Sequence, residues 1–135
     1  MKNQINNNYD SFFGEVVFTY SRQQAIADGV LIDVTETAKE AGFQYATAVT
    51  FNAWNKCVAW NNDNEKAYQD ESGRLWDILY MASLTAVHSS GNTILFDVYS
   101  IPSGQTEAVL TTLKLVAGPG DSAEPVLTIM LPEED

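Results

Sequence analysis

The sequence predicts an α+β fold, with several helices packed on one face of a C-terminal antiparallel β-meander. Two observations carry this expectation. Over Glu71–Ser89, Leu75, Ile78, Leu79, Ala82 and Ala86 recur at i, i+3, i+4 and i+7 and form one helical stripe. From Thr93 onward the period changes. Thr93–Tyr99, Ala108–Val116 and Pro125–Leu131 are β-branched and apolar, and PSGQTE and AGPGDSAE between them are rich in turn residues. Helices first and strands last is the order of an α+β domain, and short-looped strands pair as a meander.

A chain of 135 residues holds one domain of common size. Residues 1–10, MKNQINNNYD, read as a disordered leader, and residues 11–135 as the single domain. Phe12 to Tyr20 is aromatic and β-branched, which predicts a strand around Val16–Tyr20. Ser21 and Gln24 then have capping-box spacing, so a short helix is expected over Arg22–Asp28, ended by Gly29. Val30–Val34 is an apolar run broken by Asp33, and a second short helix over Glu36–Ala41 stops at Gly42. Thr50 can cap a third helix, Phe51–Trp60, whose core face would carry Phe51, Trp54, Cys57 or Val58, and Trp60. The polar stretch at 61–69 reads as an exposed loop.

On the long helix, Trp76, Tyr80, Leu84 and Val87 widen the stripe, which predicts packing on more than one side. Along the second strand Val109, Thr111, Leu113 and Leu115 share a face, with Thr112 and Lys114 on the other. Gly118-Pro119-Gly120-Asp121 is expected to be a β-turn with glycines at positive φ. Pro125–Leu131 should be an ordered strand pairing antiparallel with Ala108–Val116. Glu133, Glu134 and Asp135 should remain solvated, because adjacent acids are costly to bury.

Seven Lys and Arg stand against eighteen Asp and Glu, giving a net charge of -11. Such a surface repels phosphate backbones and anionic membranes, so neither direct nucleic-acid binding nor membrane docking is expected. A partner protein with a basic surface is the complementary expectation. One cysteine allows no intramolecular disulfide, and no run of 18 apolar residues occurs. A cytoplasmic protein is expected.

No catalytic constellation stands out, and no cofactor or metal is implied. His88, the single histidine, falls in the last turn of the long helix, where a positive charge suits the dipole. Cys57 lies between Trp54 and Trp60, a setting that raises a thiol pKa and marks a core cysteine. There is no CxxC, HxxxH or calcium-loop pattern. Glu36 and Glu40 share a helix face, but acids are favourable at a helix start. The best local candidate for binding is the polar segment beside the first glycine-ended helix: Tyr20, Arg22, Asp28, Asp33 and Glu36.

The blocks YSRQQAIADGVLIDVTETAKEAGF (20–43), DESGRLWDILYMA (70–82), LKLVAGPGD (113–121) and EPVLTIMLPEED (124–135) resemble the signature of a small family of uncharacterised bacterial proteins. The resemblance implies a gene carried on plasmids, integrated elements and phages. It brings no activity, cofactor or catalytic residue with it. An accessory role for a mobile element follows: a non-catalytic, acidic protein-binding module acting on a host or element-encoded protein. Its sharper form is a nucleic-acid mimic that inhibits a host defence system. Two alternatives stand beside it. One is a small-molecule enzyme using the Tyr20, Arg22, Asp28 and Asp33 region. The other is a homo-oligomeric structural protein pairing through Thr93–Tyr99 or Pro125–Leu131 as an exposed edge.

Overall fold

The structure, a computed structural model, describes residues 20–61 and 67–135. The expected leader at 1–10, the expected strand at Val16–Tyr20 apart from Tyr20 itself, and positions 62–66 of the polar loop lie outside the described residues. The elements are α1 (Arg22–Ala27), β1 (Leu31–Asp33), α2 (Thr35–Glu40), β2 (Ala46–Thr50), α3 (Phe51–Cys57), α4 (Glu71–Val87), β3 (Thr93–Ser100), β4 (Val109–Pro119) and β5 (Pro125–Met130).

The fold is α+β, and β3, β4 and β5 form the expected antiparallel meander. The sheet does not stop there. β5 pairs on its far side with β2, in parallel, from Ala46↔Val126 to Val49↔Ile129, and β2 pairs antiparallel with β1. The order is β1-β2-β5-β4-β3, a mixed five-stranded sheet rather than a pure meander. A parallel neighbour needs a long crossover, so no local turn announces β2. β5 is therefore interior and cannot be an exposed edge.

Side chains alternate between the two faces of the sheet. Val49, Phe96, Leu113 and Ile129 point to one face. There they meet Ala38 of α2, Ala53 and Cys57 of α3, and Leu75, Ile78, Leu79 and Ala82 of α4. α1 departs from the expected arrangement. Arg22 bonds the hydroxyl of Thr128, and Ile26 lines a cavity with Ala46, Ala48 and Val126, all on the opposite face. The described helices thus occupy both faces, and among them α1 alone lies on the second.

The caps form where the residue types require them. Ser21 Oγ accepts from Gln24 N at 3.0 Å, Thr50 Oγ1 from Ala53 N at 3.2 Å, and Asp70 Oδ1 from Gly73 N at 2.6 Å. Gly29 and Gly42 follow α1 and α2 with φ of 79° and 103°, a region costly for residues with a Cβ. α3 ends at Cys57 and not at Trp60, because the Val58 and Ala59 amides both turn back to the Trp54 carbonyl. Phe51, in its first turn, is exposed, while Ala53, Cys57 and Val58 take the core positions.

α4 buries one stripe only. Trp76, Tyr80, Leu84 and Val87 are all exposed, since among the described residues no element covers that flank. The β4–β5 turn also differs from expectation. Gly118 lies inside β4 opposite Val126, and the positive φ belongs to Ala123 at 64°. Gly120 is glycine for space: a Cβ there would run into the Glu124 carboxylate.

Candidate functional site

The α1 end of the molecule gathers most of the polar groups singled out in the sequence. The Ser21 cap leaves further first-turn amides without helical partners. Asp121, from the β4–β5 turn, takes two of them: Arg22 N donates to Oδ1 at 2.7 Å and Gln23 N to Oδ2 at 3.0 Å. These bonds, from Gln23 first and then Arg22, hold the exposed Asp121 carboxyl below its ordinary range. The turn is thereby latched to a helix about a hundred residues away.

The Arg22 side chain runs across the sheet. Nη1 donates to Thr128 Oγ1 at 2.8 Å and Nη2 to the Leu127 carbonyl at 2.7 Å. Burial lowers the pKa of this half-buried guanidinium, and the nearby Asp33, Asp121 and Glu124 carboxylates oppose that shift. At the start of α2, Asp33 Oδ1 accepts from Thr35 N at 3.1 Å and from Thr35 Oγ1 at 2.6 Å. Thr35 Oγ1 in turn accepts from Thr47 N at 3.1 Å.

Two open cavities flank Arg22. One, of about 360 Å³, has Ala46, Ala48 and Val126 among its lining and carries Arg22, Asp33, Thr35, Asp121 and Glu124. The other, of about 790 Å³, is lined by Tyr20, Arg22, Leu31, Thr50, Asp121 and Glu134 among others. Of the five residues expected at a site, Arg22 and Asp33 share the first cavity and Tyr20 joins Arg22 in the second. Asp28 lines neither. It accepts from Tyr20 Oη at 2.6 Å, a bond that raises the Tyr20 pKa. Glu36 is exposed on the first turn of α2 and also lines neither cavity.

Reading the sequence missed Asp121, Glu124, Thr35 and Glu134. For Asp121 a signal existed, since an acid in a GPGD turn is a ready helix-capping group, but nothing local says which helix it will cap. Glu134 departs from the solvated tail that was expected. Its Oε1 accepts from Thr50 Oγ1 at 2.7 Å and Leu131 N at 2.8 Å, and Oε2 from Asn52 Nδ2 at 3.1 Å. Its carbonyl accepts from Lys114 Nζ. Burial pushes this carboxyl up, but the hydrogen bonds outweigh it and the net shift is downward.

A second polar centre lies across the core. Arg74 is 5% exposed. Nε donates to the Val58 carbonyl at 2.9 Å, Nη1 to the Ile101 carbonyl at 3.0 Å, and the guanidinium stands 4.8 Å from the centre of the Trp60 ring. Cys57 nearby is buried, and burial pushes its thiol up, as its apolar setting implied. His88 caps α4 in an exposed position. Among the described residues no group of three or more His, Cys, Asp or Glu is placed to hold a metal ion, and no helix is long and apolar enough to cross a membrane.

Chemically, the α1 end is a set of carboxylate acceptors around a guanidinium that is turned inward. The Thr35 hydroxyl beside Asp33 is committed to the backbone of β2 and fixes the start of α2. Such a surface suits a cationic group presented from outside.

The fold and site define an acidic α+β protein with a mixed sheet and a carboxylate-rimmed face beside its first helix. The chain belongs to DUF6573, a family of unknown function that matches residues 5–135. No curated protein matches it. No solved structure does either.

Proposed function

We propose that the chain is a non-catalytic, acidic binding module that docks on a basic surface of another protein. The observation that carries this reading is the α1 face. Asp33, Asp121 and Glu124 line one cavity and Glu134 the next, while Arg22 spends two donors on Thr128 and Leu127. Within a chain of net charge -11 this leaves an electronegative, indented face. Lysine or arginine side chains of a partner would enter the two cavities, and the field would speed encounter at low salt.

The sharper form is a nucleic-acid mimic that fills the basic groove of a nuclease or defence complex. It accords with the accessory role that the sequence resemblance implied for a mobile element. The single, buried Cys57 accords with a reducing cytoplasm.

The test is capture from host lysate on the immobilised protein, with the Asp33→Asn/Asp121→Asn/Glu124→Gln triple variant beside it. Basic, nucleic-acid-binding proteins should be enriched on the parent, released as salt rises, and displaced by added DNA or RNA. The variant should lose them. Capture that is indifferent to salt and to the triple change would remove this reading.

A further inference from the structure

We infer that β3 and the flank of α4 that no described element covers form an isologous interface with a second copy of this chain. Among the described residues β3 is an edge strand, eight residues long, of sequence TILFDVYS. Ala117 N donates to the Asn92 carbonyl at 2.8 Å, and Thr93↔Val116 to Ser100↔Val109 follow in unbroken register. Antiparallel ladders alternate, so Ile94, Phe96 and Val98 spend their backbone groups on β4. Thr93, Leu95, Asp97 and Tyr99 turn theirs outward. Of the devices that normally blunt an edge, the strand has no proline, no lysine and no bulge, and a single charge, Asp97.

The helix layer above continues the same surface. Arg74 donates to Val58 just beyond α3, so that flank of α4 faces α3. At 100° per residue, Trp76, Tyr80 and Val87 fall on the opposite flank. They are exposed, with Leu84 beside them. On the other face of the sheet Leu95 and Tyr99 are 58% and 69% exposed.

A second copy is the occupant that this surface fits. A two-fold axis at Phe96 sets Leu95 opposite Asp97 and Thr93 opposite Tyr99, and so keeps the two Asp97 carboxylates apart. Two sheets then join into one of ten strands, with α4 against its symmetry mate. The six apolar side chains named expose on the order of 600 Å² per chain, so two chains reach the lower end of a stable interface. Charge agrees. A basic partner would be drawn to the α1 face, which gathers Asp33, Asp121, Glu124 and Glu134. This strip carries Asp97, already bonded by Thr112 Oγ1 at 2.6 Å, and the exposed Asp77 beside Trp76. Two copies of a -11 chain meet here with less repulsion than across the α1 face.

Sedimentation equilibrium on the full chain, without any partner, tests the inference separately from the proposed function. Between ~1 µM and ~500 µM the mass should pass from monomer to dimer. Leu95→Pro removes an outward N–H and no bond to β4, and Tyr80→Glu charges the α4 flank. Each should weaken dimerisation about tenfold or more, with the circular dichroism of the diluted protein unchanged. Phe51→Glu, at an exposed position in the first turn of α3, should leave it intact. If Leu95→Pro unfolds the chain, Tyr80→Glu decides. A monomer throughout the range overturns the inference. So does a dimer indifferent to both interface variants.

Discussion

At the scale of single residues, two side chains organise their surroundings in ways that their types alone do not announce. Arg74 brings a charge into the core and spends it on carbonyls at Val58 and Ile101, Gln69 Oε1, and the face of Trp60. These tie the end of α3 and the end of β3 to α4. A lysine keeps the charge but has no planar fork with which to reach both carbonyls. Arg74→Lys should therefore cost about 1–3 kcal/mol, read from urea unfolding, since at least one buried carbonyl loses its donor. An unchanged midpoint would show the fork to be dispensable. Glu134 acts through its charge. Its folded-state pKa lies below that of the unfolded chain, so the unfolded state takes up the proton first as pH falls. The stability it contributes is present above the ordinary carboxylate range and is lost as pH drops through its folded pKa. Glu134→Gln should be the less stable protein at pH 7, with the gap in melting temperature closing below about pH 4. A gap of constant size across that range would assign the effect to hydrogen-bond geometry rather than to charge.

At the scale of elements, α4 offers the clearest contrast between a buried and a free face. Leu79 is fully buried among Phe96, Leu113 and their neighbours, whereas Leu84 on the far side is 44% exposed. Leu79→Ala should cost about 2–5 kcal/mol in chemical denaturation. Leu84→Ala should stay within about 0.5 kcal/mol in the diluted monomer. Equal losses would mean that the flank is covered within the chain itself. The helices were legible because their signals are local: Ser21 and Thr50 cap in place, Gly29 and Gly42 stop what precedes them, and α4 carries its apolar stripe. The strands of the meander were legible because turn residues separate them. β2 was not. Its run of Ala46, Thr47, Ala48, Val49 and Thr50 has small side chains on one face and no flanking hairpin, and its partner β5 lies some eighty residues further on. β1 suffered in the same way, as three residues whose only strand partner among the described residues is β2. The width of the apolar stripe on α4 was read correctly as a pattern. Its meaning was not, because periodicity cannot tell an intrachain neighbour from a missing one.

At the scale of the whole molecule, the site and the sheet share one cause, which is that β5 sits at the centre. It carries Thr128 and Leu127 to Arg22, and the turn before it carries Asp121 to the amides of α1. The candidate site was legible in part, through Arg22, Asp33 and Tyr20. Asp28 and Glu36 were near in sequence but turn elsewhere, and Asp121 and Glu124 arrive only through the tertiary fold. The same centrality governs the tail. Ending the chain after Asp121 removes the strand that joins β2 to β4 and buries Val126, Ile129 and Met130, each worth about 1.5–3 kcal/mol. No cooperative transition should survive in calorimetry. Removing only residues 133–135 is the finer experiment. A solvated acidic tail would leave the melting temperature unchanged, as the three adjacent acids alone suggest. The structure instead loses the Glu134 bonds to Thr50, Asn52 and Leu131, and Thr50 both caps α3 and closes β2. The shorter deletion should therefore cost about 1–2 kcal/mol and lower the melting temperature by roughly 3–8 °C. Coincident melting curves for that deletion and the full chain would return Glu134 to solvent.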